Sequence, residues 1–204
     1  CPLVTRLPNP EGKGSVDMLD LLVNSLRMRP DRIVVGEIRR KEEAQVLFEA
    51  MHTGHSVYST VHADSMDETI KRLTNPPIRV PSNLLGAVNL NVVMFRDRRR
   101  ALRRVFQVGE FVVTEESFGS IVKPNVMYRW KPETDSIVPH LKSVKFFEDL
   151  SRHTGMTEAE INKDLAEKKR ILDLMAKKNI RSLEEVGKLM NQYYLEPELV
   201  MKKL

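Results

Sequence analysis

Three residue types able to do chemistry crowd into the first third of the chain. Glu37 closes the run Asp31-Arg32-Ile33-Val34-Val35-Gly36-Glu37. The apolar, β-branched centre of that run reads as a buried parallel strand, and its C-terminal end is where open α/β sheets place ligands. A carboxylate there is costly to bury unless it serves a ligand or a partner. It can polarise a water in phosphoryl transfer, or hold Mg2+ through water. It can equally end the strand and pair with Arg32 or Arg39. His55 follows in Gly54-His55, and His62 in Thr60-Val61-His62. Neither has a third ligand at metal spacing, which discounts zinc; an ordinary hydrogen-bonded role stays open for each. His52 lies outside the pattern. Arg27 and Arg39 complete the set. A guanidinium can stabilise charge on a transferring phosphoryl group, even across a subunit boundary; at a helix end it can also simply meet the helix dipole.

The elements that must position these residues follow from periodicity and punctuation. Residues 1–15 form a Pro- and Gly-rich loop. Its Gly12-Lys13-Gly14-Ser15 is a solvated turn rather than a phosphate loop, because the GxxxxGK[ST] spacing and a preceding strand are both missing. A helix is expected from Asp17 to Met28, with Leu19, Leu22, Val23 and Leu26 on its apolar side, Ser15 or Asp17 as cap, and Pro30 as stop. A strand over Arg32 to Gly36 leads to a helix from Glu42 to Met51. That helix turns Val46, Leu47, Ala50 and Met51 inward and ends at Gly54. A second strand, Ser56 to Val61, precedes a helix capped by Asp64 or Ser65 and running to Leu73. After Pro76, Pro77 and Pro81 come a short helix near Ser82 to Val88 and a strand from Asn89 to Phe95. This alternation is the α/β pattern.

Beyond Arg96 the pattern changes. Arg98, Arg99, Arg100, Arg103 and Arg104 form a basic cluster, followed by strand signals at 105–114, 121–130 and 137–141. Such a cluster can bind nucleic acid electrostatically, or be a solvated hairpin or a subunit contact. No aromatic platform interleaves with it, so single-strand binding is not favoured. From Ser143 helices are expected. Thr157 to Glu160 and Ser182 to Glu185 read as capping boxes, and Glu196-Pro197 opens a last short helix. Ile161, Leu165, Ile171, Leu172 and Leu174 would line the apolar side of the longest one. The expected divisions are 1–96 for an α/β core, 97–142 for a small β appendage and 143–204 for a helical region.

Composition bounds the answer. The 204 residues are 41% hydrophobic and 30% charged, the balance of a chain with a packed core and a charged surface. No run approaches the roughly 20 apolar residues of a membrane span, and no secretory signal is visible. The lone Cys1 excludes an internal disulfide and suits a reducing compartment. The net charge of +5 fits an anionic partner, whether nucleotide, nucleic acid or membrane surface, and selects none of them. Cys1 in place of Met points to a fragment or processed product of a longer chain.

In combination, Leu26-Arg27-x-x-Pro30-Asp31, Gly36-Glu37-Ile38-Arg39, Gly54-His55 and Thr60-x-His62 resemble the C-terminal part of the secretion-type ATPases. These are the ring motors of type II and type IV secretion, type IV pili and the archaellum. The likeness covers Leu3 to Phe95, and the helical tail looks like the archaeal branch. The resemblance implies a RecA-like P-loop NTPase fold lacking its Walker A part. In it, Gly36-Glu37 ends the Walker B strand, with Glu37 catalytic and linked to Mg2+. It further implies His62 as γ-phosphate sensor, His55 as a positioning residue, and Arg39 or Arg27 as charge stabilisers. Gly36, Thr60 and Glu42 belong to the same nucleotide site, Glu42 steadying an arginine. Thr5-Arg6 resembles the tail of the family's Asp box. ATP and Mg2+ are the implied cofactors. A hexameric ring and an integral-membrane platform protein are the implied partners, at the cytoplasmic face of the membrane. Without a phosphate-cradling loop, the chain alone is expected to bind little ATP and to be inactive. A DNA-translocating ATPase and a non-catalytic docking module are the alternative readings.

Overall fold

Asp17 starts the first helix, α1 (Met18–Arg27), in the computed structural model, which describes residues 1–117 and 119–201. Its carboxylate accepts the Asp20 N–H at 2.8 Å, and Asp20 returns the bond to the Asp17 N–H at 3.0 Å. Two of the four orphan donors of the helix start are thereby satisfied. Leu22 is buried, whereas Val23, expected on the same side, is 43% exposed. Upstream, Arg6 and Val16 exchange backbone hydrogen bonds at 2.9 Å and close residues 7–15 into a hairpin. Gly12 and Gly14 take positive φ there. The Gly12 to Ser15 stretch is therefore a turn.

The chain then alternates strands and helices. β1 (Arg32–Val34) and β2 (Ser56–Tyr58) pair in parallel, Ile33 opposite Val57, with α2 (Lys41–His52) as the crossover. Gly54, at φ +92°, follows the end of α2. α3 (Met66–Thr74) is capped by Ser65, whose hydroxyl accepts the Glu68 N–H at 3.1 Å. A 3-10 helix (Ser82–Ala87) leads to β3 (Asn91–Asp97). β4 (Leu102–Glu116), β5 (Gly119–Lys131) and β6 (Ser136–Pro139) follow, and the four strands form an antiparallel sheet in chain order.

One core joins these parts. Ala44, Leu47 and Phe48 of α2, Met66 of α3, Leu85 of the 3-10 helix, Val93 of β3 and Phe111 of β4 are buried together. Burying each large side chain stabilises by about 1.5–3 kcal/mol. Gly109 permits the closest approach: a Cβ there would collide with the Asn125 carbonyl oxygen of β5 and also meet the Met66 sulfur at 2.7 Å. The boundary expected at 96/97 falls inside β3, where Arg96 pairs with Arg103 of β4. The first compact unit accordingly runs from Cys1 to Phe146.

The central strand departs from its expected burial. Ile33 and Val35 are buried at 6% and 5%, but Val34 is 78% exposed. β1 pairs on one side only and is covered on one face, so alternate side chains meet solvent.

The second unit begins at Phe147. α4 (Phe146–Thr154) leads into it, and α5 (Glu158–Lys177), α6 (Leu183–Leu195) and α7 (Pro197–Met201) complete it. Ile171, Met175, Tyr193 and Val200 form its core. Leu165 and Leu172, expected on the inner side of α5, are 44% and 58% exposed. The inner stripe instead follows the helical spacing of Ile171 and Met175. Thr157 and Glu160 form the expected capping box. Ser182 and Glu185 do not: Glu185 takes the Ser182 hydroxyl at 2.6 Å rather than the Ser182 backbone N–H. Pro197 sits at the first position of α7, where its missing N–H is harmless.

Candidate functional site

The parallel pair brings two loops to the same end. Past β1 and β2 the chains stay joined: the Val35 N–H donates to the Tyr58 carbonyl at 2.9 Å, and the Ile38 N–H to the Thr60 carbonyl at 3.2 Å. The Thr60 hydroxyl donates to the Gly36 carbonyl at 2.5 Å. Gly36-Glu37-Ile38 is therefore clamped beside Ser59 to His62. Glu37 is where the two loops meet. One carboxylate oxygen accepts the Arg39 Nε at 2.7 Å, and the other lies 3.3 Å from the His62 Nε2. The hydrogen bond from Arg39 holds the Glu37 carboxyl below its ordinary value, with further help from the charges of Arg39, His62 and Arg72; partial desolvation opposes them. Glu37 is thus an ionised carboxylate with both oxygens engaged by exposed, exchangeable partners. The Arg39 and His62 side chains are 74% and 83% exposed.

Glu43 supports the arrangement from below. This residue is buried, and one of its oxygens accepts the N–H groups of Arg39 and Arg40 at 3.2 and 3.1 Å. It fixes the backbone that carries the Arg39 guanidinium. Glu42, expected to steady an arginine, is exposed in the first turn of α2, beside Glu43. The sequence signal was a glutamate three residues after Arg40, the spacing of a helix-start glutamate. Arg72, on α3, had no such signal.

Gly36, Glu37, Arg39, Thr60 and His62 therefore form one cluster. The other expected site residues stand elsewhere. His55 precedes β2, at the opposite end of the parallel pair from His62. Its Nδ1 lies 3.2 Å from both the Ala50 carbonyl and the Thr53 hydroxyl. His52 meets the Phe48 carbonyl at 2.8 Å. Arg27 lies exposed at the end of α1.

Gly36 adds a further observation. Its φ is not in the left-handed region, and a Cβ there would meet nothing within 4 Å. No neighbour beyond the adjoining residues requires glycine at that position, so the space a Cβ would occupy there is open. Among the described residues no group of three His, Cys, Asp or Glu could hold a metal ion directly. Glu37 fits a Mg2+ ion held through water, and the His62–Arg39 edge fits an anion. No GxxxxGK[ST] spacing occurs in the sequence to cradle the rest of a nucleotide's phosphates.

A carboxylate just past a parallel strand pair, flanked by His and Arg, marks the polar end of an α/β unit. Comparison with known proteins places it further. Residues 2–104 match the family model described as Type II/IV secretion system protein, and the chain belongs to that family. Its α/β part is consistent with the C-terminal part of a RecA-like ATPase domain. An uncharacterized protein of Methanocaldococcus jannaschii is 35% identical over 199 residues, covering 94% of this chain and 35% of that protein. The type IV pilus assembly ATPase PilB of Pseudomonas aeruginosa is 43% identical over 83 residues, 40% of this chain and 14% of PilB. The chain thus spans only part of the length of these relatives. The crystal structure of the Legionella pneumophila ATPase DotB aligns with 58% of this chain and 29% of its own, at 23% identity and a TM-score of 0.35, too distant a likeness to argue from.

Proposed function

We propose that the whole protein is a Mg2+-dependent ATPase of a secretion or pilus system, with Glu37 as its catalytic carboxylate. The observation that carries this reading is the Glu37 carboxylate held between Arg39 and His62 at the end of the parallel pair. The pilus assembly ATPase PilB supports it by likeness over the family region.

In this reading ATP supplies the phosphoryl group, and the residues of the chain act on its reactive end. Glu37 orients a water and takes up its proton, directly or by way of solvent. His62 donates a hydrogen bond to the terminal phosphate. Arg39 leaves Glu37 to neutralise developing charge, an exchange made easy by its exposure, and Arg27 offers a second guanidinium from a subunit edge. Glu37 cannot accept a proton well while Arg39 holds it, so nucleotide arrival and release of Glu37 are coupled. The site is completed by a phosphate-binding loop from elsewhere in the longer protein. The assembled form is a ring, a hexamer, and its strokes act on an integral-membrane platform at the cytoplasmic face to move protein or build a filament.

The test is nucleotide hydrolysis by the full-length protein and by its Glu37→Gln variant. Turnover that falls about 100-fold or more while ATP still binds is the expected result. Undiminished turnover in the variant would remove Glu37 from the chemistry. Absence of nucleotide binding by either protein would leave a docking module as the better reading.

A further inference from the structure

The β3–β4 hairpin concentrates charge in a way its own fold disfavours. Arg96 and Arg103 stand directly opposite each other in the antiparallel register, and like charges so placed weaken the pairing. The turn between the strands adds Arg98, Arg99 and Arg100, all exposed. Compensation within the chain is slight. Asp97 accepts the backbone N–H groups of Arg99 and Arg100 at 2.8 and 3.2 Å, and lies 3.8 Å from the Arg100 guanidinium. Asp135 is already taken by Arg104, at 2.6 and 2.5 Å. Among the described residues no acidic side chain pairs with Arg96, Arg98, Arg99 or Arg103.

Apolar side chains run into this cluster. β3 is an edge strand of its sheet. Val92 and Met94 are 51% and 61% exposed, while Val93 between them is 4% exposed. Arg96 continues the Val92–Met94 face, since alternate strand residues share a side. One exposed strip therefore passes from Val and Met to five arginines.

We infer that the β3–β4 hairpin is a membrane-contact element for anionic lipid. The arginines take the headgroup phosphates, and Met94 and Val92 enter the boundary between headgroups and acyl chains. Basic charge beside exposed apolar side chains is the combination that binds an anionic leaflet. Nucleic acid fits less well. Trp130 is buried, and the 36% exposed Phe95 has one ring face taken by Trp130, with centroids 5.3 Å apart, so at most one aromatic face is left, too little for the successive stacking that single strands use. A phosphodiester backbone also makes no use of Val92 and Met94. The inference does not rest on the hydrolysis reading, because lipid binding requires neither Glu37 nor nucleotide.

The experiment is co-sedimentation of the full-length protein with phosphatidylcholine vesicles, with and without phosphatidylglycerol. Binding only to the anionic vesicles is expected. It should weaken about tenfold or more in the combined Arg98→Gln, Arg99→Gln, Arg100→Gln variant and about twofold or more in Met94→Ser. The triple variant relieves repulsion, so its melting temperature should hold or rise, separating lost binding from lost fold. The proposal is overturned by absent binding, by equal binding to neutral vesicles, or by binding that ignores both variants. It is also overturned if a duplex DNA oligonucleotide binds more tightly through the same arginines than the anionic vesicles do.

Discussion

Glu37 and Glu110 are both held ionised, by opposite means. Glu37 meets two exposed side chains, either of which can turn away. Glu110, on β4, is 1% exposed. Burial pushes its carboxyl up more than any other single influence. The N–H of Val144, the Asn125 amide, the N–H of Phe146 and the Ser143 hydroxyl together overcome that and hold it below its ordinary value. The Asn125 amide donates at 2.7 Å and the Phe146 N–H at 2.6 Å; Lys145 N–H adds longer bonds. Glu110 thereby holds the segment from Ser143 to Phe146 that follows β6. The difference separates two uses of one side chain. A carboxylate satisfied by several fixed donors, most of them backbone N–H groups, is committed to structure, because its departure takes a partner from all of them at once. A carboxylate satisfied by mobile cations keeps the freedom to exchange partners, which a reactive group requires.

The largest effect should come from breaking the committed one. Glu110→Ala strands several donors in a buried place and should destabilise by about 3 kcal/mol or more, read from the urea midpoint of unfolding. A loss below about 1 kcal/mol would show that the segment re-forms its bonds elsewhere and would erase the contrast. Glu43→Ala is next. It removes the acceptor for two backbone N–H groups and should destabilise by about 1 kcal/mol, with lower turnover in the full-length protein because Arg39 loses its footing.

Gly36→Ala sharpens the exchangeable side. The chain leaves room for a methyl group there, so stability should rise by about 0.5 kcal/mol through the unfolded state, while turnover of the full-length protein falls because nucleotide must approach the backbone closely at this position. Loss of stability without loss of turnover would show that the glycine serves the fold. The smallest effect concerns pH. The carboxyls of Glu37 and Glu110 both lie below the ordinary 4.5. Their contributions to stability are therefore complete above 4.5 and fade as pH falls through each lowered value. Arg39→Ala should raise the Glu37 value toward 4.5 and leave Glu110 unmoved, as followed by carboxyl NMR titration. Equal movement of both would mean that a shared field, not local partners, sets them.

Much of the local structure was legible. Asp17, Ser65 and Thr157 act as caps because a cap bond spans only three residues. The inward residues of α2 follow its 3.6-residue period. The expectation that Glu37 ends a strand beside His62 also came from short motifs. Val34 was misjudged, since an apolar run does not say whether a second strand will cover its outer side. Leu165 and Leu172 were misjudged for a related reason: leucines mark a helix as apolar without marking which stripe finds a partner. Ser182 and Glu185 have box spacing, yet the hydroxyl outcompeted the backbone N–H. Glu110 had no signal at all, being a glutamate inside a strand whose donors lie beyond it in sequence.

The sequence by itself determined which helices and strands form and in what order, which residues carry potential chemistry, and the family, because caps, turns and motifs act over a few neighbouring residues. Only the tertiary structure decided which of those residues meet. Thr60 reaches Gly36 across 24 residues because a parallel pair aligns the ends of its strands, and the same alignment carries His55 to the far end. Val144 reaches Glu110 across 34 residues because the chain beyond β6 continues beside β5, the Leu141 N–H donating to the Val126 carbonyl. Contacts at such separations depend on register and on which faces are covered, and both are set by the packing of the whole unit rather than by any stretch of it.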